Sequence, residues 1–422
     1  MVPVEQRDIR PARVLVVALV SLGLLARLAP GLMMTPAQAA RLPHAAPYLA
    51  LARSLADGGG FVLTEGADED AGGTTYLARR MPGYPLLVAA GKTLLAAPSR
   101  ATLIVQALCG TASLVLAVWM AQRLAGPWAA VVAAALLAFD PYQAVLASLF
   151  APVTLTGLAL TAVAAAGVAY LGAVRTGRRA WPWAAAGGLA LAAAVYLEVW
   201  TLALAPVALV AAAASRRRRR LLAGWTVGAA VLAAALAPWL ARNADRLGVP
   251  VLSTDVCRRL WTGTAPGPGD TGPEADAPGP PEGLDEVGEG VFYLESAAER
   301  MASAPGRWLS RAFRRVGRLW SPILPEGLED GPLGPAAGYT SLLPTALLAV
   351  AGLALLRRRG EVWWLLLGGA AATVAHFVLA GWAGDRAAVM PPLAALGGAG
   401  LAALLGHRKE TQDEQREASP SS

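Results

Sequence analysis

The sequence is short of the residues from which soluble active sites are usually built. It has two cysteines and three histidines in 422 residues, and 15% of its residues are charged against 55% hydrophobic. Cys109 falls inside a hydrophobic run and Cys257 inside a polar segment. Thiols at different depths form neither a disulfide framework nor a Cys/His metal site. So low a charged fraction excludes a soluble enzyme, which would have too little polar surface. Acids are almost absent from the short gaps between hydrophobic runs, where Lys and Arg stand instead. The net charge of +7 therefore sits at the mouths of apolar segments rather than on a folded basic face, and nucleic acid is excluded as a partner. Membrane lipids with anionic headgroups are the expected partners of these cations.

What is present is a series of apolar runs of membrane-crossing length. Runs near 14–34, 102–120, 128–146, 151–172, 181–197, 198–214, 221–240, 338–356, 361–381 and 386–405 predict an all-α integral membrane protein of about ten spans. Arg27 within the first run favours a retained helix over a signal peptide, although Thr35 to Ala40 has the small residues of a cleavage site. The gaps holding Arg175, Arg178 and Arg179, then Arg216 to Arg220, Arg357 to Arg359, and Arg408 with Lys409 are cytoplasmic by the positive-inside rule. The expected protein is multi-pass in the cell (plasma) membrane with both termini cytoplasmic. It divides into a transmembrane module over 1–241 carrying an external loop at 35–101, an external loop at 242–336, C-terminal helices over 337–406, and a cytoplasmic tail over 407–422. The stretch Pro82 to Ala97 is apolar but short and contains Lys92, so it is expected as an interfacial or re-entrant helix.

Both external loops carry interfacial features. In the first, Tyr48, Leu51 and Leu55 share one helical face and Gly58-Gly59-Gly60 ends the helix. Arg79 and Arg80 stand just before a rigid turn, Met81-Pro82-Gly83-Tyr84-Pro85, at a depth that suits either a lipid-linked phosphate or headgroup contact. In the second, Ala265 to Gly283 reads as a disordered insert rich in Pro, Gly and acids. Gly306 to Trp320 then reads as an amphipathic helix, with Arg307, Arg311, Arg314, Arg315 and Arg318 mostly opposite its apolar side. Glu198, deep in an apolar run, is either a functional group or a helix turn reaching water.

Pro43 to Phe61 followed by Arg80-Met-Pro-Gly-Tyr-Pro-Leu-Leu87 resembles the first external loop of family 39-like GT-C glycosyltransferases, of the protein-mannosyltransferase and aminoarabinose-transferase kind. Pro238 to Asn243 with Gly248 to Thr254, Ala298 to Pro322, and Arg386 to Leu405 resemble further blocks in the same order. The resemblance implies a GT-C-like helical bundle that moves a sugar, with inversion, from a polyprenyl-phosphate donor to a glycan, lipid or protein acceptor on the outer face. It implies lipid-phosphate contacts from Arg80, Arg242 and Arg386, and a groove that includes Tyr48, Arg79, Tyr84 and Asn243. It implies no cofactor; a divalent cation at Asp68 and Asp70 is the alternative, from a D-x-D pattern common in acidic loops.

The chain departs from the family at His44, where relatives carry the catalytic Asp. His44 is a candidate base, since a neutral imidazole accepts a proton near neutral pH. It is equally readable as the mark of an inactive relative that binds or handles lipid-linked sugars, or as an incidental loop residue. Asp57, at the end of the flat helix, is the fallback catalytic carboxylate, and Asp140 before Pro141 is a further one.

Overall fold

The computed structural model describes residues 9–33, 45–65, 74–94, 98–265, 279–322 and 336–418. His44, Asp68, Asp70 and most of the expected disordered insert lie outside these residues. The chain is a multi-pass helical membrane protein; among the described residues seven helices are long and apolar enough to cross a bilayer and three apolar helices are shorter.

The first helix, α1 (Ile9–Met33), crosses once. The first polar segment follows, with the flat helix α2 (Ala45–Ala56), a hairpin of β1 (Leu63–Glu65) and β2 (Thr74–Tyr76), and α3 (Gly83–Leu94). At 12 residues α3 is too short to span. The membrane region continues with α4 (Pro98–Ala125), α5 (Pro127–Ala138), the single turn and a half of α6 (Pro141–Leu146), and α7 (Val153–Arg175). The run read as one span over 128–146 is thus two pieces. The break comes at Asp140, whose Oδ1 accepts from the Tyr142 and Gln143 amides at 3.0 and 3.2 Å and so starts a new helix.

The next pair, α8 (Trp181–Leu197) and α9 (Leu204–Ala214), is separated by Glu198 in extended backbone and a 3₁₀ turn, Val199–Ala203. Glu198 stands just before that turn, outside both membrane helices. The long α10 (Arg218–Leu247) runs past its expected end until Gly248, at φ 75°, closes it in the left-handed region. Arg242 and Asn243 therefore sit on its last turns. The second polar segment holds α11 (Asp255–Thr264), α12 (Glu286–Ser303) and the basic α13 (Pro305–Leu319). The chain then returns through α14 (Ala336–Leu356), α15 (Gly360–Val378), a 3₁₀ turn (Ala383–Val389) and α16 (Met390–Ala418).

Lipid tails are as apolar as leucine, so these helices are held by close packing and internal polar contacts more than by the hydrophobic effect. Central α7 is buried along most of its length, and Thr156 and Thr161 satisfy their hydroxyls on the Pro152 and Gly157 carbonyls at 3.0 and 2.6 Å. Backbones meet directly where glycine allows: a Cβ at Gly400 would lie 2.5 Å from both the Gly352 nitrogen and the Leu348 carbonyl, which fixes α14 against α16. Arg27 faces inward, donating to the Gly23 and Leu137 carbonyls at 2.9 and 3.0 Å. Val14, Val17, Leu25, Val210 and Leu347 point outward, as a lipid-facing surface requires.

The two polar segments meet at one end of the bundle. Glu286 accepts from the Leu77 and Ala78 amides and the Thr254 hydroxyl, and the Thr254 amide donates to the Ala78 carbonyl at 3.1 Å. The arginine-rich turns lie at the other end, where Arg175 pairs with Glu361 and Arg359 donates to the Leu124 carbonyl.

Candidate active site

Six separate parts of the chain converge at the polar end. Helix α2 supplies Tyr48, the turn after β2 supplies Arg80, the α8–α9 break supplies Glu198, α11 supplies Asp255, Arg258, Arg259 and Thr262, and the turns after α15 supply Gly381, Trp382 and Asp385. With Pro152 and Val153 at the start of α7, these residues line a cleft of about 330 Å³.

Its floor is an ionic chain. Asp255 accepts from Arg259 Nε at 2.8 Å and from Arg80 Nη1 at 3.2 Å. Arg259 Nη2 lies 3.5 Å from Glu198 Oε2, and the Tyr48 hydroxyl donates to Glu198 Oε1 at 3.3 Å. Asp385 Oδ2 lies 3.2 Å from His376 Nε2, while His376 Nδ1 is 2.8 Å from the Ala372 carbonyl. Trp200 packs edge-on against that imidazole, with centroids 5.9 Å apart.

The carboxylates differ in environment. Burial pushes the Asp255 carboxyl up, but Arg259 and Arg80 together override it and hold the group below the ordinary carboxylate range. Burial pushes Glu198 up as well, and there Arg259 and Arg80 do not fully offset it, because Asp385 and Asp255 act in the same direction as burial. Glu198 therefore holds its proton more readily, and its contacts are the longest in the chain of ion pairs. Arg258 also lines the cleft, and no carboxylate pairs with it among the described residues.

The residues singled out in the sequence divide between the cleft and its supports. Arg80 and Tyr48 line it. Tyr84 is fully buried behind Tyr48, ring centroids 4.9 Å apart, and donates to Gln106 Oε1 at 2.6 Å. Arg79 turns away to pair with Glu65 at 2.8 Å over the Tyr76 ring, holding the hairpin. Arg242 donates to the Leu77 carbonyl at 2.6 Å, to Asn243 Oδ1 at 2.7 Å and to the Phe61 carbonyl at 3.3 Å, and lies over Trp239. Asn243 in turn donates to the Val251 carbonyl at 2.7 Å. This pair clamps the first loop to the end of α10, beside the cleft rather than in it. Arg386 is 1% exposed and sits over the Tyr142 ring, on the far side of the turn from its neighbour Asp385. Asp57 is exposed at the end of α2, outside the cleft lining, and Asp140 serves as the α6 cap.

Sequence reasoning missed Asp255, Arg258, Arg259, His376 and Asp385. The i,i+4 pairing of Asp255 with Arg259 is a helical signal, and His376 is an ionisable residue inside an apolar span, which marks function by default. It also placed Arg315 on the polar side of the basic helix. Arg315 is buried instead, donating to the His376, Phe377 and Gly263 carbonyls and joining α13 to the ends of α15 and α11. Among the described residues no group of three His, Cys, Asp or Glu side chains converges as a metal site.

No family model matches the sequence, and no curated protein does. Solved structures do. The archaeal oligosaccharyltransferase AglB from Archaeoglobus fulgidus, in complex with an inhibitory peptide and a dolichol-phosphate, aligns over 97% of this chain and 52% of its own, with TM-score 0.58 and 14% identity. An Archaeoglobus fulgidus oligosaccharyltransferase tethered to an acceptor peptide containing the NVT sequon aligns over 92% and 49%, with TM-score 0.56 and 14% identity. ArnT from Cupriavidus metallidurans bound to undecaprenyl phosphate aligns over 92% and 77%, at TM-score 0.43 and 16% identity. The chain thus spans about half the length of the oligosaccharyltransferases it resembles. At these identities the likeness speaks for architecture alone: the chain shares the fold of the part of the oligosaccharyltransferases that it aligns with.

Proposed function

We propose that the chain transfers a sugar, with inversion, from a polyprenyl-phosphate donor to an acceptor bound at the cleft. The observation that carries this reading is the juxtaposition of Arg80 and Arg258 with the buried Glu198 carboxyl in one cleft at the polar end of a GT-C bundle. The dolichol-phosphate recorded with AglB supports a donor of this class.

In the proposed reaction Glu198 takes the proton from the acceptor hydroxyl as its oxygen attacks the anomeric carbon. The bond from that carbon to the phosphate oxygen breaks on the opposite face, and the electron pair leaves with the polyprenyl phosphate. Arg80 and Arg258 stabilise the departing charge. A carboxyl raised by burial is a better base for this purpose than one locked between two guanidinium groups, so Asp255 serves to hold Arg80 and Arg259 in place.

The second reading is a GT-C-fold protein that binds or handles lipid-linked sugars without transfer. It is favoured by His44 standing where the resembling family carries Asp. Incubating the purified protein in nanodiscs with a polyprenyl-phosphate sugar separates the two. Release of free polyprenyl phosphate supports transfer, and donor binding with no release supports handling.

A further inference from the structure

At the end of the bundle away from the cleft, three turns bring arginines together. Arg175 closes α7, Arg216 and Arg217 lie between α9 and α10, and Arg357 to Arg359 lie between α14 and α15. They surround a pocket of about 970 Å³. Its one carboxylate, Glu361, is buried and held by Arg175. Arg359 is engaged by the Leu124 carbonyl. Arg216, Arg217, Arg357 and Arg358 are exposed and pair with no carboxylate among the described residues.

A topology signal requires arginines at this end of the helices, but not around a shared pocket, where like charges repel. The pocket also has an apolar side. Trp364 and Leu221 line both it and a groove between α7, α8, α9 and α10. Gly187, Gly188, Gly224 and Gly228 are among the residues that line that groove, whose volume is about 90 Å³. Cations over an apolar groove at a helix-bundle surface match an amphiphile with an anionic head. The 23-residue α7 separates this pocket from the cleft by about 33 Å at 1.5 Å per residue, so the two are different sites.

We infer that this pocket binds an anionic phospholipid from the leaflet opposite the cleft. Its phosphate sits among Arg216, Arg217, Arg357 and Arg358, and the first part of one acyl chain lies against Trp364 in the groove. The lipid bridges the α9–α10 turn to the α14–α15 turn, at the base of the helix that carries His376 to the cleft.

The test is lipid retention by the full-length protein, delipidated in detergent and titrated with phosphatidylglycerol or phosphatidylcholine, with bound lipid read by native mass spectrometry. Phosphatidylglycerol is expected to be retained over phosphatidylcholine. Arg357→Gln with Arg358→Gln should weaken it roughly fivefold per arginine, about 1 kcal/mol each near an anionic surface. Ala229→Phe, which fills the groove without touching the arginines, should weaken it as well, and soluble glycerol phosphate should not compete. Equal retention of the two lipids overturns the site. So does full competition by glycerol phosphate, which would make it a free-phosphate site, or indifference to Ala229→Phe, which would make it a surface charge effect. Should the arginine variant misfold, Ala229→Phe alone decides.

Discussion

Arg80 Nη1 lies 3.2 Å from Asp255 Oδ2, joining two residues 175 positions apart in the chain. The pair ties the first polar segment to the second and gives the cleft its floor, because Asp255 also holds Arg259. Both partners are largely buried, so removing the carboxylate strips Arg80 of its ion-pair partner and leaves Arg259 with Glu198 alone. Asp255→Asn is expected to cost about 3–5 kcal/mol, read as a lowered melting temperature. A change within the range of a surface substitution would remove the ion pair from the account.

The same group sets an acid limit. Its folded pKa is depressed, so its contribution to stability is fully present above the unfolded value near 4 and is lost as pH falls through the lower folded value. The wild-type melting temperature should drop on acidification below about pH 4, and Asp255→Asn should flatten that part of the curve. Parallel acid limbs in the two proteins would assign the effect elsewhere.

The proposed base makes a kinetic prediction. Glu198 must be ionised to accept a proton, and burial raises its pKa, so transfer should increase with pH through a point above the ordinary carboxylate range. Glu198→Gln should lower the rate on the order of 10²–10⁴-fold while donor binding survives. His44→Ala, by contrast, should leave the rate within a few-fold. If His44→Ala causes the large loss and Glu198→Gln does not, the base is the imidazole.

Arg242 tests where structural and binding roles part. Its donors go to the Leu77 and Phe61 carbonyls and to Asn243, so Arg242→Ala should destabilise the protein by about 1–3 kcal/mol through unsatisfied carbonyls. Donor affinity per folded molecule should hold. Lost affinity at unchanged melting temperature would return Arg242 to the phosphate site.

Much of the architecture is legible in the sequence because membrane helices declare themselves by length and apolarity, and basic gaps mark one end. One break is legible and another is not. The charge of Glu198 marks the division between the runs at 181–197 and 198–214, whereas Asp140 interrupts an apolar run because its side chain caps a new helix, which hydropathy does not show. In the cleft, Arg80 is visible as a cation before a rigid turn. Asp255, Arg259 and Asp385 are not, since each looks like an ordinary solvated charge until its partner is known. Only the i,i+4 spacing of Asp255 and Arg259 on α11 hints at a pair; their other partners, Glu198 after α8 and Arg80 in the first loop, and His376 of α15 for Asp385, leave no trace in sequence spacing. Arg315 escapes for a related reason: it belongs to a strongly basic helix, and three backbone carbonyls left open at neighbouring helix ends draw it inside.

The central claim is that the cleft holds a lipid phosphate between Arg80 and Arg258. Its most direct measurement is the affinity of the purified protein in nanodiscs for polyprenyl phosphate, compared among wild type, Arg80→Ala and Arg258→Ala. Charge-assisted hydrogen bonds contribute about 1.5–3 kcal/mol each, so either substitution should weaken binding roughly tenfold or more with the fold intact. Wild-type binding that is unchanged by both substitutions, or no binding at all, would contradict the account.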